Sequence, residues 1–590
     1  MCPGGDTDEI DVTRFSCLQL KLAQRRKITD KCTMASQNIE MNDSIQVVPN
    51  KKLNLDNVLV EEIGQFGRYQ IRTLLLISIV LVFAGWSATE YIFTTARIKT
   101  RCLIPECESS EAAEFSPTWI LNAVPSNGDS FDNCLRFESI NETVRNDECP
   151  AEWFNRTTSV GCSEYVYENT HTIVYDYGLA CEEWRRVFVG TARTFGTFLG
   201  LPILGFTSDR WGRRFALSLN AVNTAWVSVL RYWAYTYYGF VISEVVGAAI
   251  GSGTFSCAHI LVMELVGPKY RVAAGATLNT CFSLAQVLMA LIAWAIPNWR
   301  TLTLVLFTPQ LITICYFWIM PESVRWYLSK GRYKDAEDLL KNVARVNKRQ
   351  LSEESLQSLT ENAEADKKRI ASEKETKEKE PWLIVLVFRN KAILTRCCIS
   401  PVWWFTSALV YYGMSVNAVN MSGNQYLNYM AVAAAEIPGY WIAVVLMARI
   451  GRRPVLIGAY WICGACQLGY IFLPLNMFAL SLMMYLIGKL TIAVVMMSLY
   501  IYTSEIYPTR YRHSLFAFSS MLGRIGAMTA PLTPAFGAAL FEKFPSVLFC
   551  GFALLSGALM FLAPETLGTR LPDTMEEAAV IGTKTVDPRV

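Results

Sequence analysis

Among the ionisable side chains that interrupt otherwise apolar stretches are Glu90, Arg193, Glu244, Glu436, Lys489 and Arg524. An ionised group near the middle of a bilayer costs about 2.5–3.5 kcal/mol on insertion scales, so each needs a partner or a task. Arg524 follows His513 by about 11 residues, which is ~16 Å along a helix and close to a midplane. Its planar guanidinium suits a carboxylate held through two parallel hydrogen bonds. The competing reading is a pair with a protein carboxylate that only ties helices together. Glu244 could meet a substrate ammonium or neutralise Arg193 or Lys489. Glu436 could attract a cation or serve helix packing. Glu90 reads as a group at the outer water interface with no role. Aromatic residues are the second ingredient: Trp403, Trp404, Phe405, Tyr411 and Tyr412 fall in one apolar stretch and Phe255 in another. An ammonium over such a face gains ~2 kcal/mol or more when desolvated. Packing and interfacial belts are the ordinary use of the same residues.

The elements that must position these groups follow from hydropathy. The chain has 590 residues, 52% hydrophobic and 18% charged, with a mean hydropathy of +0.25; a soluble domain of this length would be more polar. Twelve apolar stretches lie near 73–94, 187–206, 215–235, 239–263, 272–296, 301–320, 399–419, 425–448, 455–474, 477–502, 514–540 and 545–562. A helix of about 20 residues crosses a bilayer, and an open strand cannot, so these are predicted helices. The net charge of +3 carries no argument for nucleic acid. Instead, basic residues concentrate in alternate short loops: Arg210/Arg213/Arg214, Lys269/Arg271, Arg449/Arg452/Arg453 and Arg510/Arg512. The positive-inside rule places those loops and both termini in the cytoplasm. The tail before the first stretch shows no cleavable signal peptide, so that stretch is expected to act as its own insertion signal.

The chain also repeats itself. GFTSDRWGRR at 205–214 is echoed by MARIGRR at 447–453, Glu264–Arg271 by Glu505–Arg512 at the same spacing, and Pro321-Glu322-Ser323 by Pro564-Glu565-Thr566. The paired positions Gly212 and Gly451, Glu264 and Glu505, and Pro321 and Pro564 are separated by 239, 241 and 243 residues. Three pairs in one order at a nearly constant offset mean two parallel halves, an arrangement typical of transporters. Asp209, Gly212, Arg213, Arg214, Glu264, Arg271, Glu322, Arg325, Gly451, Arg452, Arg453, Glu505 and Arg512 are therefore the candidate gating set. It is expected to stabilise the outward-open state and to break for release inside. The second copy has Ala448 where the first has Asp209, so its latch should be the weaker one.

These features divide the chain into a cytoplasmic tail (1–72), an N-terminal six-helix bundle (73–320), a charged cytoplasmic linker (321–390), a C-terminal six-helix bundle (391–562) and a second tail (563–590). The loop 95–184 follows the first span and faces outward. It holds Cys102, Cys107, Cys134, Cys149, Cys162 and Cys181; an even set in an oxidising compartment predicts a disulfide-stapled ectodomain of undetermined connectivity. Asn141 and Asn155 begin glycosylation sequons on that side. The dense alternation of Glu and Lys over 361–380 predicts a solvated helix with i,i+4 charge pairs. The three histidines (His171, His259, His513) are far apart, and Gly488-Lys489 lacks the rest of a phosphate-binding loop. A zinc or other metal site, a catalytic cluster and an ATP-driven pump are not indicated, and the chain is not read as an enzyme.

Taken together, SDRWGRR, ELVGPKYR, PESVRWYLSKGR, the 411–440 region, YIYTSEIYPTRYR and PETLGTRLPDTMEEAA make the chain resemble the organic cation/carnitine transporter family of the major facilitator superfamily, including insect members of the carnitine/β-alanine type. The resemblance covers roughly residues 60–580. It implies an all-α membrane protein of twelve spans in two six-helix bundles, moving small organic ions across the plasma membrane by alternating access, with no resident cofactor and with Na⁺ or H⁺ coupling left open. Cation-selective members look acidic at the place of Arg524, and carnitine and organic-anion members look basic. Trp404, Tyr411, Phe255 and Glu436 match cavity-lining positions, and Glu244 falls where the family often looks basic. The substrate class expected is a small zwitterion. A polyspecific organic cation carrier and a non-transporting sensor on the same fold are the alternatives, and the oligomeric state stays undetermined.

Overall fold

The computed structural model describes residues 55–109, 113–127, 130–140, 149–251, 253–376, 382–474, 477–509, 511–569, 572 and 574–581. The tail before residue 55, the Asn141 sequon and Arg510 lie outside the described residues. Among the described residues, ten helices are long and apolar enough to cross a membrane. In chain order, with two less apolar helices in the third and eleventh places, they are α1 (Arg68–Thr94), α2 (Glu183–Trp211), α3 (Arg213–Leu230), α4 (Tyr237–Leu265), α5 (Pro268–Ala295), α6 (Trp299–Ile319), α7 (Lys391–Asn420), α8 (Gln425–Arg449), α9 (Arg452–Phe472), α10 (Phe478–Ile506), α11 (Arg512–Thr529) and α12 (Phe544–Leu562). The third and eleventh are less apolar because they carry Arg213/Arg214 and Arg512/His513/Arg524. The twelve expected spans are thus twelve helices. The largest boundary differences are at α11, which ends at Thr529 and continues as a 3₁₀ turn over Ala530–Leu532 and a separate helix Thr533–Ala539, and at α7, which begins at Lys391 because Asn390 caps it, accepting from the Ala392 and Ile393 N–H groups. Pro309 cannot donate to the helix ladder, and α6 tightens to a 3₁₀ form over Pro309–Cys315.

Within the N-terminal half, α2 packs on α4, α1 on α5 and α3 on α4. In the C-terminal half, α7 packs on α11, α9 on α10 and α12, and α8 on α10. The halves meet where α5 lies against α8 and where α2 lies against α11 and residues 530–532. At the outer side this seam is aromatic. Trp184 meets Phe536 edge-on at 5.2 Å, and Phe93 stacks on Tyr426 at 5.4 Å. Thr191 also donates to the Met528 carbonyl at 3.1 Å. The outer ends of the two halves are therefore packed together.

The ectodomain contains three two-stranded antiparallel pairs: Thr100–Cys102 with Tyr165–Tyr167, Ser126–Asn127 with Ser130–Phe131, and Leu135–Ser139 with Phe154–Gly161. All six expected cysteines are joined, as Cys102–Cys162, Cys107–Cys149 and Cys134–Cys181. The first two of these bridges sit in a small apolar core with Ile104, Ile120 and Val124. Arg101 is fully buried and holds Glu108 through both guanidinium nitrogens. Asn155 lies on a strand, where its side-chain oxygen accepts from the Thr157 hydroxyl at 2.6 Å.

At the end of the bundles opposite the ectodomain, helices Val324–Lys330, Tyr333–Asn347 and Glu353–Thr376 form the linker. The charged stretch is helical as far as the described residues reach. Of the residues before α1, Leu55–Val58 is a helical turn, and Asp56 reaches Arg271 of α5 at 2.6 Å as well as Arg325. Sequence reasoning missed this contact because Asp56 precedes the first apolar stretch.

Candidate functional site

The two loop motifs fold alike. Gly212 and Gly451 adopt φ of +105° and +110°, a backbone that a side chain would strain. A Cβ on either glycine would also run into a carboxylate, that of Glu322 or of Glu565. These carboxylates accept from the first N–H groups of the following helix. Glu322 takes the Arg213 and Arg214 N–H groups at 2.9 and 3.2 Å, and Glu565 takes those of Arg452 and Arg453 at 3.0 Å each. An anion at a helix N-terminus is electrostatically favoured. Burial nevertheless pushes the Glu322 carboxyl above its ordinary value, against the pull of those backbone donors.

Side chains extend each latch. Arg213 pairs with Asp209 at 3.0 Å and Glu264 at 3.4 Å, while Arg452 pairs with Glu505 at 3.1 Å. Arg512 donates to the Tyr507 carbonyl and the Thr509 hydroxyl, and Arg271 and Arg325 share Asp56. So Glu264 and Arg271, similarly spaced to Glu505 and Arg512, bond to other partners. The Arg213 and Arg452 pairs each lie inside one half, whereas Asp56 ties the segment before α1 to α5 and to the linker. They are formed while the outer ends are packed.

The charges singled out within the helices fall into three groups. In the N-terminal half, Glu244 of α4 bonds Arg193 of α2 at 2.5 Å and Arg231 at 2.7 Å. Arg231, just beyond α3, also reaches Glu90 of α1 at 3.1 Å, and Thr303 of α6 donates to Glu90 at 2.9 Å. Two acids and two arginines are thereby neutralised among five helices. Glu90 is fully buried, which corrects its reading as an interfacial group. Arg231 was not singled out in the sequence because it lies at the edge of an apolar run. Of the two partners considered for Glu244, Arg193 is the one found.

In the C-terminal half, Lys489 of α10 pairs with Glu436 of α8 at 2.9 Å, and neither side chain is exposed. Glu436 accepts from the hydroxyls of Tyr411 at 2.8 Å and Tyr440 at 3.1 Å. It also accepts from Ser283 at 2.5 Å and Gln286 at 3.3 Å, both on α5 of the other half. Lys489 donates to the Tyr411 carbonyl and lies over the Tyr411 ring at 3.8 Å. Tyr411 and Glu436 are thus one cluster, placed on the seam between the halves.

Arg524 forms the third group alone. It is half-buried on α11 and, among the described residues, has no ion pair or hydrogen bond. Its charge is felt by the Tyr412 hydroxyl. The preceding Gly523 packs so closely that a Cβ would lie 3.1 Å from the Trp404 backbone. Trp404 is buried, donates to the Thr503 hydroxyl at 3.1 Å, and meets the rings of Tyr500 at 4.7 Å and Phe516 at 5.4 Å. Phe255 is elsewhere, in the N-terminal half, against His259 and Phe282.

A duplicated twelve-helix bundle with paired glycine latches defines a multi-pass membrane carrier. The family model of the Major Facilitator Superfamily matches residues 165–531. The chain is 31% identical over 535 residues to the organic cation transporter protein of Drosophila melanogaster, covering 89% of this chain and 95% of that one. It is 31% identical over 420 residues to human solute carrier family 22 member 16, covering 70% and 71%. The partially occluded, inward-open xylose transporter XylE from E. coli shares the fold, with a TM-score of 0.55, 16% identity and coverage of 85% and 100%. This chain belongs to the organic cation/carnitine transporter family of the major facilitator superfamily.

Proposed function

We propose that this chain is a plasma-membrane secondary transporter of organic ions whose substrate is a small zwitterion, with an ammonium at one end and a carboxylate at the other. Carnitine-like compounds and β-alanine or related amino compounds have that chemistry. The carrying observation is Arg524: a half-buried guanidinium in the second half of α11 with no acid to neutralise it among the described residues. A substrate carboxylate would supply the missing charge through two hydrogen bonds. Trp404, packed beside Gly523, is the aromatic residue nearest in place to meet the ammonium end; the Tyr411 face is taken by Lys489, and Phe255 would have to face the solute from the other half. The helices would rock as two bundles about that site, with both termini in the cytoplasm.

The test is uptake of labelled carnitine, β-alanine and tetraethylammonium into cells, with and without sodium and proton gradients. Transport of the carboxylates, lost in Arg524→Ala with surface protein unchanged, supports the reading. Good transport of tetraethylammonium without the carboxylates overturns it. That outcome would favour the second reading, a polyspecific organic cation carrier, for which the name of the Drosophila relative speaks. In that case Glu244 and Glu436 would have to exchange their protein partners for the cation.

A further inference from the structure

One face of α1 is hollowed. Arg68, Ile71, Arg72, Leu75, Leu76 and Ile79 line a groove of about 360 Å³. They recur at steps of three and four residues, which puts them on one side of the helix. Ile71, Leu75 and Ile79 are 45%, 63% and 49% exposed, and both arginines are exposed as well. The helix is fixed beside the groove, where the Tyr316 hydroxyl of α6 donates to the Leu76 carbonyl at 2.9 Å. Because α1 enters the ectodomain loop after Thr94, the arginine end of the groove lies opposite the ectodomain. Among the described residues, neither Arg68 nor Arg72 has an ion pair or a hydrogen bond. Like charges four residues apart on a helix repel, so an anion between these two would relieve both. From Arg68 to Ile79 the helix rises ~16 Å. One leaflet supplies about half of a ~30 Å hydrocarbon core, so the groove is one leaflet deep.

We propose that this groove seats an anionic phospholipid of the leaflet opposite the ectodomain, with its phosphate between Arg68 and Arg72 and an acyl chain along Ile71, Leu75 and Ile79. The two ends of the groove match the two ends of such a lipid. Arginine forks hold phosphate oxygens through paired, charge-assisted hydrogen bonds. The apolar side chains below them present a continuous surface to a hydrocarbon chain. Arg72 stands one turn further in than Arg68, so its stem runs along apolar surface while its head reaches back to the headgroup level. A choline headgroup carries its own cation and leaves the two arginines uncompensated; a headgroup of net negative charge neutralises them. The site is on α1 and is separate from Arg524 on α11, so it holds a lipid that stays with the carrier and is not the solute.

The experiment uses the full chain in phosphatidylcholine nanodiscs that contain a trace of a photo-crosslinking lipid, with the diazirine on an acyl chain. Two probes are compared, phosphatidylglycerol and phosphatidylcholine, and the crosslinked residues are mapped by peptide mass spectrometry. The phosphatidylglycerol probe should label 71–79 roughly 30-fold more than the choline probe, the equivalent of ~1 kcal/mol for each basic residue near an anionic headgroup. Arg68→Ala or Arg72→Ala should each lower that labelling about fivefold, and the double variant should bring it to the choline level. Leu75→Trp keeps both arginines and fills the groove, so it should lower labelling too. Arg449→Ala, which removes an exposed arginine at the end of α8, should leave it unchanged. Equal labelling by the two probes overturns the proposal. So does an equal loss in Arg449→Ala, which would mean diffuse attraction to basic loops, or full labelling in Leu75→Trp. Absence of crosslinks at 71–79 while other spans are labelled means that something else covers this face, and overturns it as well. Each variant is first checked for its folded peak by size-exclusion chromatography. If the arginine variants fail that check, the probe preference of the parent protein and the Leu75→Trp result decide alone.

Discussion

Both halves bury charge inside their helices, and they do so differently. In the N-terminal half Glu90, Arg193, Arg231 and Glu244 neutralise one another, two acids against two arginines. In the C-terminal half Glu436 and Lys489 are matched, Arg396 is buried against the Ile506 and Ala578 carbonyls, and Arg524 has neither an acid nor a hydrogen bond among the described residues. A closed set of buried charges fixes helices in place, because no member can leave without stranding another. An unmatched charge near a midplane does the opposite and favours a ligand of opposite sign. The contrast separates residues that build the carrier from the residue that selects its solute. The seam sharpens it further: Glu436 takes donors from α5 of the other half, whereas every partner of Glu244 lies in its own half.

The largest expected effect comes from opening the closed set. Glu244→Gln leaves Arg193 and Arg231 buried without their shared anion, and breaking such a group costs about 3–5 kcal/mol. Size-exclusion chromatography of the fluorescently tagged protein should show loss of the folded peak, with little protein at the cell surface. A normal peak would mean that the network does not hold the bundle, and the contrast between the halves would fail.

Arg524→Gln should act on transport and leave folding alone. Losing a charge-assisted pair of about 1.5–3 kcal/mol predicts a roughly 10–150-fold fall in carboxylate uptake. The folded peak and surface level should match the parent. A fall in folded protein instead would place Arg524 with the structural charges.

Tyr411→Phe removes one donor from buried Glu436 and should lower stability by about 1–2 kcal/mol. Thermal unfolding in detergent would register it, and an unchanged midpoint would show that Tyr440, Ser283 and Gln286 suffice.

The smallest effect concerns the latches. Asp209 pairs with Arg213 one helical turn on, at 3.0 Å, and Ala448 stands in the equivalent place before Arg452. Asp209→Ala should cost, and Ala448→Asp should gain, about 0–1 kcal/mol, because both positions are near the surface. Opposite shifts of the unfolding midpoint, each reduced by high salt, would confirm that the two loops are equivalent. A shift in only one would show that Glu505 already satisfies Arg452.

Much of this was readable in one dimension. The spans are long apolar runs and the duplication is a matter of offsets, so twelve helices in two halves follow from local pattern alone. The six ectodomain cysteines were also legible as a set, but their pairing was not, because connectivity depends on which strands meet. Glu244 with Arg193 was one of two pairings that the charge pattern allowed. Arg231 and Asp56 went unnoticed because each lies where charge is unremarkable, at a helix end and in a polar tail. The direct bond between Tyr411 and Glu436 joins α7 to α8, and nothing in their spacing announces it.

The sequence by itself determined the number of helices, the repeat, the alternation of basic loops and the presence of charges that lipid would not tolerate. These follow from composition and period, which the bilayer reads residue by residue. Only the tertiary structure decided which of those charges are neutralised. That depends on distances of a few ångströms between helices that are remote in the chain, and those distances leave Arg524 without an acid.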